Sequence, residues 1–280
     1  MTTTPIDLDA YFARIGYEGP RDVSVETLHN LIAAHVQAIP FENCDVLLGA
    51  RIALDTASLQ KKLVYDRRGG YCFEQNGFFL LMLETLGFGV TPVSARVRIN
   101  RPRDFTPPRT HLFTRVEING ESWLADVGVG GLSPTAALRL TLNNEQHTPH
   151  EPRRIIYENN LYYHQAKLGN EWTDICEFTL ETMPPIDREV ASWYTSTHPQ
   201  SHFKSQLLVA RAAPKGQRVT LLNNVFSIRD AEGDAAKREL TSRQELLDVL
   251  AEHFGLHFPA DTHFELEALP WVAEAKGKAA

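Results

Sequence analysis

Two periods of apolar and polar residues divide the chain. Up to about residue 89 the apolar positions recur at helical spacing. In DLDAYFARIG, Leu8, Tyr11 and Ile15 fall on one stripe that Gly16 ends. SVETLHNLIAAHVQAI starts at Ser24, sets Leu28, Leu31, Ile32 and Val36 on one face, and stops at Pro40. Asp55 is a candidate N-cap for DTASLQKKLVY. From Cys72 to Leu86, an amphipathic run places Phe73, Asn76, Leu80, Leu83 and Leu86 near one stripe, and Gly87 is a natural C-terminal glycine.

Near residue 90 the period changes to 2. VTPVSARVRI alternates, and HLFTRVEI and SWLADVGV flank Asn119-Gly120, a strong hairpin signal. RRIIYEN, LYYHQAKLG and EWTDICEFTL are expected as further strands, so residues 90–190 read as an antiparallel sheet or small barrel. A polar-aromatic connection with a short helix after Pro185 follows. QLLVARAAP, QRVTLLNNVFSIRD and AAKRELTS suggest strands. SRQELLDVLAEHFGL suggests a helix capped by Ser242, with Glu245 three residues on and Leu246, Leu247, Leu250 and Phe254 aligned. The tail EAKGKAA, residues 274–280, is expected to fray.

Composition narrows the function. A chain of 280 residues can bury a sizeable core, as one large domain or two to three small ones. A net charge of -7 leaves no nucleic-acid footprint. No apolar run reaches the length of a membrane span, since GFFLLMLETLGFGV is broken by Glu84 and by glycines. The N-terminus lacks a basic start followed by an apolar stretch, so no signal peptide is expected. Three sparse cysteines (Cys44, Cys72 and Cys176) do not form a disulfide framework, and reduced thiols in a cytoplasmic protein are expected. His253 and His257 lie four apart and lack a third ligand nearby, so no metal is expected.

Cys72 is the candidate for chemistry. Gly69 and Gly70 precede it and a helix follows, so its sulfur would sit by unpaired N–H groups at the positive end of the helix dipole. Such a place favours a thiolate and could stabilise an oxyanion. A thiol packed as a small hydrophobe is the alternative. A nucleophile also needs a base and an orienting group. With a two-residue Asn119-Gly120 turn, Ile118 pairs with Glu121, Phe113 faces Asp126 and His111 faces Gly128. His111 and Asp126 then share a face as diagonal neighbours, about 7–8 Å apart at the backbone and within side-chain reach.

RRGGYCFEQNG, PPRTHLFTRVEI and WLADVGVGG, in that order, resemble the arylamine N-acetyltransferases. AIPFENCDVLLG, TPHEP and SHF extend the resemblance over nearly the whole chain. It implies an α+β, multi-domain fold with a catalytic core like those of cysteine proteases and transglutaminases. The expected parts are an N-terminal helical bundle (1–89) carrying the nucleophile, a central antiparallel β-barrel (90–190) carrying the His and Asp, a connecting segment (191–208) and a C-terminal α/β lid (209–280).

The implied catalytic residues are Cys72, His111 and Asp126. The implied reaction is ping-pong transfer of an acetyl group from acetyl-coenzyme A, through acetyl-Cys72, to an arylamine, arylhydroxylamine or hydrazine, in xenobiotic metabolism. The expected partners are the small-molecule acceptor and coenzyme A, with no membrane partner, in a monomer or homodimer. Phe41, Phe73, Val129 and Phe203 are candidates for the acceptor pocket; Thr110, Gly128, Gly130 and Gly131 are candidates for coenzyme A contact; His202 is a further candidate at the cleft. Glu42 and Arg68 are expected to form a structural ion pair. Many bacterial members carry Phe at the place of Val129, which should alter acceptor preference, and many have Leu in place of Cys44. The Cys-His-Asp set by itself also suits a peptide acyl transferase of the transglutaminase or protease type, and a non-catalytic binding module is a third reading.

Overall fold

The computed structural model describes residues 4–277. Local caps start its helices. The Asp7 carboxylate accepts the Ala10 N–H at the head of α1 (Leu8–Ile15), and Gly16 ends the helix with a left-handed φ of 66°. Ser24 caps α2 (Val25–Ala38) by accepting the Thr27 N–H. After the two-residue strand β1 (Phe41–Glu42) come α3 (Cys44–Leu47) and α4 (Thr56–Gln60), which Asp55 caps and which runs into a π-helical turn at Lys61–Tyr65. The next helix, α5 (Cys72–Thr85), is buried at every position from Cys72 to Leu80 and again at Met82 and Leu83. The expected stripe is therefore only part of its buried surface, because α4 covers one side and the barrel the other. A helix enclosed all round has no solvent face to carry an amphipathic pattern.

The barrel is one antiparallel sheet. Its strands are β2 (Gly89–Val97), β3 (His111–Ile118), β4 (Glu121–Ala125), β5 (Leu138–Arg139), β6 (Arg153–Glu158), β7 (Leu161–Leu168) and β8 (Glu171–Thr182), in the order 5-4-3-2-8-7-6. Bridges from Leu142 to Ile155 and from Gln146 to Arg153 carry the chain after β5 across to β6, so the sheet nearly closes. The β3–β4 hairpin has the expected register: Ile118 faces Glu121 and Thr114 faces Ala125. Asn119 and Gly120 both have positive φ, 51° and 79°, as a tight turn matched to strand twist requires.

The helix after Pro184 is longer than the short one expected: α6 (Pro185–Thr197) spans 13 residues and leads to a 3-10 turn at His202–Lys204. A second sheet holds β9 (Leu208–Ala212), β10 (Arg218–Leu222), β11 (Val225–Arg229) and β12 (Ala235–Glu239). QRVTLLNNVFSIRD is thus two strands, with the turn at Asn223 (φ 54°). Ser242 caps α7 (Arg243–Phe254), and α8 (Pro270–Gly277) ends the described chain. The tail expected to fray overlaps α8 up to Gly277, and residues 278–280 lie outside the described residues.

The second sheet takes its edge strand from the N-terminal segment. β1 pairs with β9, Phe41 facing Ala210 and Glu42 facing Val209. Cys44, next along, is buried in the core formed by this sheet and α7, with Leu207, Phe226, Leu250 and Phe254. Among the described residues, no helix is long and apolar enough to cross a membrane.

Candidate active site

The loop before Cys72 is clamped by neighbours distant in sequence. A Cβ at Gly69 would stand 2.0 Å from the Pro40 carbonyl oxygen, so the close approach admits only glycine. Arg68 bonds Glu42 at 2.7 Å and Asp45 at 2.8 Å, the ion pair expected from the sequence with a second acid added. Lys62 bridges Asp45 at 2.7 Å and Glu74 at 2.6 Å. Burial raises Glu74 to about 7 even though Lys62 opposes the shift.

Three buried polar residues on α5 hold this loop and the strands beside it. Glu74 accepts the Tyr71 N–H at 3.0 Å. Gln75 donates to the carbonyls of Gly70 (2.6 Å) and Pro40 (3.1 Å), and its own oxygen lies 3.1 Å from His35 Nε2. His35 is kept neutral, lowered to about 3 by burial. Asn76 reaches the opposite side, donating to Leu112 O at 2.6 Å and to Asp126 Oδ1 at 2.9 Å. Helical periodicity placed Asn76 on the stripe but gave Glu74 and Gln75 no role. The available signal was three successive polar residues beginning two positions after the cysteine, inside a helix otherwise apolar on most faces.

Cys72 is the first residue of α5, and its thiol donates to the Thr110 carbonyl at 3.4 Å. His111 opens β3, and Asp126 follows the last residue of β4. His111 Nε2 lies 2.6 Å from Asp126 Oδ2. The hairpin therefore brings together the two side chains its register put on one face. Burial alone would lower His111, but the charge and hydrogen bond of Asp126, with a hydrogen bond to Cys72, raise it to about 10. For Asp126 burial acts upward and is outweighed by His111, by the Gly128 N–H and by Asn76, so the carboxylate stays below its usual range. His111 and Asp126 thus form a buried charged pair at the start of the hairpin face that Cys72 abuts.

Of the candidate pocket residues, Phe41, Phe73 and Phe203 share one apolar cluster with Cys72, Tyr71 and Leu112. The Phe203 ring meets Phe41 edge-on at 6.0 Å and Tyr71 at 5.6 Å, and the Asn43 amide holds the Phe203 carbonyl at 2.9 Å. His202 stacks edge-on against Phe203 at 4.6 Å. Val129, next to Gly128, packs with Val97, Ile99, Ala166 and Ile175 on the barrel.

The glycines after Asp126 face protein. A Cβ on Gly128 would lie 2.9 Å from the Cys72 Cα and 2.9 Å from Asn76 Nδ2; Gly130 faces the Phe41 ring at 3.6 Å; Gly131 faces Thr220 at 3.2 Å. At Gly128 the missing Cβ lets the start of α5 approach.

A cavity of about 910 Å³ lies beyond Phe73, between residues 49–55, α5 and α6, and is lined by Ile52, Leu54, Ile186, Val190 and Trp193 among others. Cys72, His111 and Asp126 do not line it, so the chemistry is located by the side-chain cluster. Cys44, Cys72 and Cys176 are all free and buried. His253 and His257 do not share a helix face, because α7 ends at Phe254 and Gly255 turns the chain with a φ of 67°. Among the described residues, no group of three or more His, Cys, Asp or Glu is arranged to hold a metal ion.

Residues 24–263 match a family model described as N-acetyltransferase. An arylamine N-acetyltransferase of Escherichia coli K12 is 40% identical over 97% of this chain and 96% of its own length. The structure of arylamine N-acetyltransferase from Mycobacterium tuberculosis superposes with a TM-score of 0.86 at 40% identity, covering 89% of this chain and 93% of that one. That of the Mycobacterium marinum arylamine N-acetyltransferase in complex with CoA gives 0.85 at 38% identity, covering 89% and 92%.

Proposed function

The chain belongs to the arylamine N-acetyltransferase family, and on that premise we propose that it moves an acetyl group from acetyl-coenzyme A to an arylamine, arylhydroxylamine or hydrazine by way of acetyl-Cys72. The observation that carries this reading is the 2.6 Å His111–Asp126 contact beside a cysteine that opens a helix. The Cys72 thiol passes its proton to His111, and Asp126 balances the imidazolium. The thiolate attacks the thioester carbonyl, with the N–H groups at the start of α5 as donors to the developing oxyanion. Coenzyme A leaves with the proton from His111. The acceptor amine then attacks acetyl-Cys72, gives its proton to His111, and the thiolate departs as leaving group. Two half-reactions through one covalent carrier give ping-pong kinetics.

Phe41, Phe73 and Phe203 form the apolar wall for an aromatic acceptor, by their clustering with Cys72. Thr110 and Gly128, which touch Cys72, are assigned with Gly130 and Gly131 to the coenzyme A side. The test is mass spectrometry after treatment with acetyl-coenzyme A and no amine. The wild type should gain one acetyl group on the peptide containing Cys72, and Cys72→Ser should gain none and turn over no acceptor. A wild type left unacetylated at Cys72 would overturn the reading.

A further inference from the structure

We propose that Asn76 is a positioning residue for the acetyl-transfer site, holding Asp126 and the two strand ends beside it so that the carboxylate meets His111. The proposal rests on the reading that Cys72 carries the acetyl group. Asn76 lies four residues after Cys72 on α5, hence on the same helix face. Its side chain is fully buried and all its hydrogen-bonding groups are used. The two Nδ2 hydrogens go to Leu112 O at 2.6 Å and Asp126 Oδ1 at 2.9 Å, and Oδ1 accepts the Val127 N–H at 2.8 Å.

Leu112 follows His111 and Val127 follows Asp126, so one amide grips the next residue after each member of the His–Asp pair. Its orientation is settled by its partners, since a flipped amide would set its oxygen against two oxygens and its nitrogen against an N–H. Asp126 Oδ1 also accepts the Gly128 N–H at 3.0 Å, and with both donors in place the other oxygen is left turned to His111. The helix that carries the nucleophile thereby sets the acid that orients the base. A carboxylate at this position would repel Asp126, and an alkyl group would leave a buried C=O and N–H unpaired.

The test compares wild type, Asn76→Ala and Asn76→Ser. The readouts are the pH profile of Cys72 alkylation by iodoacetamide, followed on the Cys72 peptide, thermal melting, and kcat and KM with acetyl-coenzyme A. In Asn76→Ala, alkylation near pH 7 should slow about 10- to 100-fold, the loss of one hydrogen bond to a charged group. Its profile should move to higher pH, and kcat should fall with the KM for acetyl-coenzyme A little changed. Asn76→Ser keeps one small hydrogen-bonding group, should fall between the two, and serves as the test if the alanine variant does not fold. A folded variant with a lower melting temperature but the wild-type alkylation profile would overturn the proposal, leaving Asn76 a packing residue. Alkylation needs no acetyl donor, so a failure of the acetylation reading would show separately, as a wild-type Cys72 that takes no acetyl group.

Discussion

The buried carboxylate of Asp126 governs the charge at His111. Burial works against a charged imidazole, and the adjacent carboxylate reverses that, raising the group to about 10 against about 6.5 for an unperturbed histidine. A folded value above the unfolded one stabilises the protein in full below about pH 6.5, and the contribution is lost as pH rises towards about 10. Asp126, with a depressed value, sets the acid side: its contribution is present above the ordinary carboxylate range, about 3.9, and lost as pH falls through and below it. The melting-temperature gap between wild type and His111→Gln should therefore be widest near about pH 5–6 and close towards pH 10. A gap constant over that whole range would mean that His111 is not charged in the folded protein. The pairing itself was legible in the sequence, because an Asn-Gly turn and a period of 2 fix the register over the few residues between His111 and Asp126. The strength of the coupling was not, since it depends on the burial of both groups.

At the scale of elements, the site is a helix start pressed against the end of a hairpin. Gly128 makes the approach possible: a Cβ there would fall 2.9 Å from a backbone atom of Cys72, which cannot swing aside as a side-chain tip can. Gly128→Ala should push α5 and the hairpin end apart, at a cost of about 1–3 kcal/mol in chemical denaturation, with a loss of acetyl transfer out of proportion to that cost. Wild-type activity and stability in this variant would show that the contact yields without consequence. The sequence singled out this glycine but not the start of α5 as its neighbour, because a glycine marks a close approach without telling what approaches. The same limit applies to α5. Its start and length, and the inward face of Asn76, followed from Cys72, Gly87 and the apolar spacing, whereas the inward aim of Glu74 and Gln75 came from neighbours on every side.

Over the whole molecule, the barrel and the second sheet are joined through one carboxylate. Glu151 bonds Arg153 of β6 at 3.0 Å and Arg218 of β10 at 2.6 Å, and also pairs with Arg229 of β11. Arg153 and Arg218 are almost wholly buried, at 0% and 2% exposure, so Glu151→Gln would strand their charges. Loss of one partner from such a buried cluster costs about 3–5 kcal/mol, read as a lower denaturant midpoint at neutral pH. The arginines hold Glu151 far below the usual carboxylate range against the upward push of burial. Its contribution is then present above about pH 4.3 and fades as the solution is acidified further, so the gap to the variant should narrow in acid. An unchanged midpoint at neutral pH would remove Glu151 as the joint. By itself the sequence determined what chain neighbours settle: the caps at Ser24, Asp55 and Ser242, the Asn119-Gly120 hairpin with His111 and Asp126 on one face, and the motifs that mark the family. Only the tertiary structure decided the pairing of β1 with β9, the arginines around Glu151, the packing of Val129 against Ala166 and Ile175 and the three-way grip of Asn76. Caps and tight turns are settled by backbone angles within a few residues. The partners of a buried polar group are brought to it by distant segments, and a one-dimensional period does not encode which segments those are.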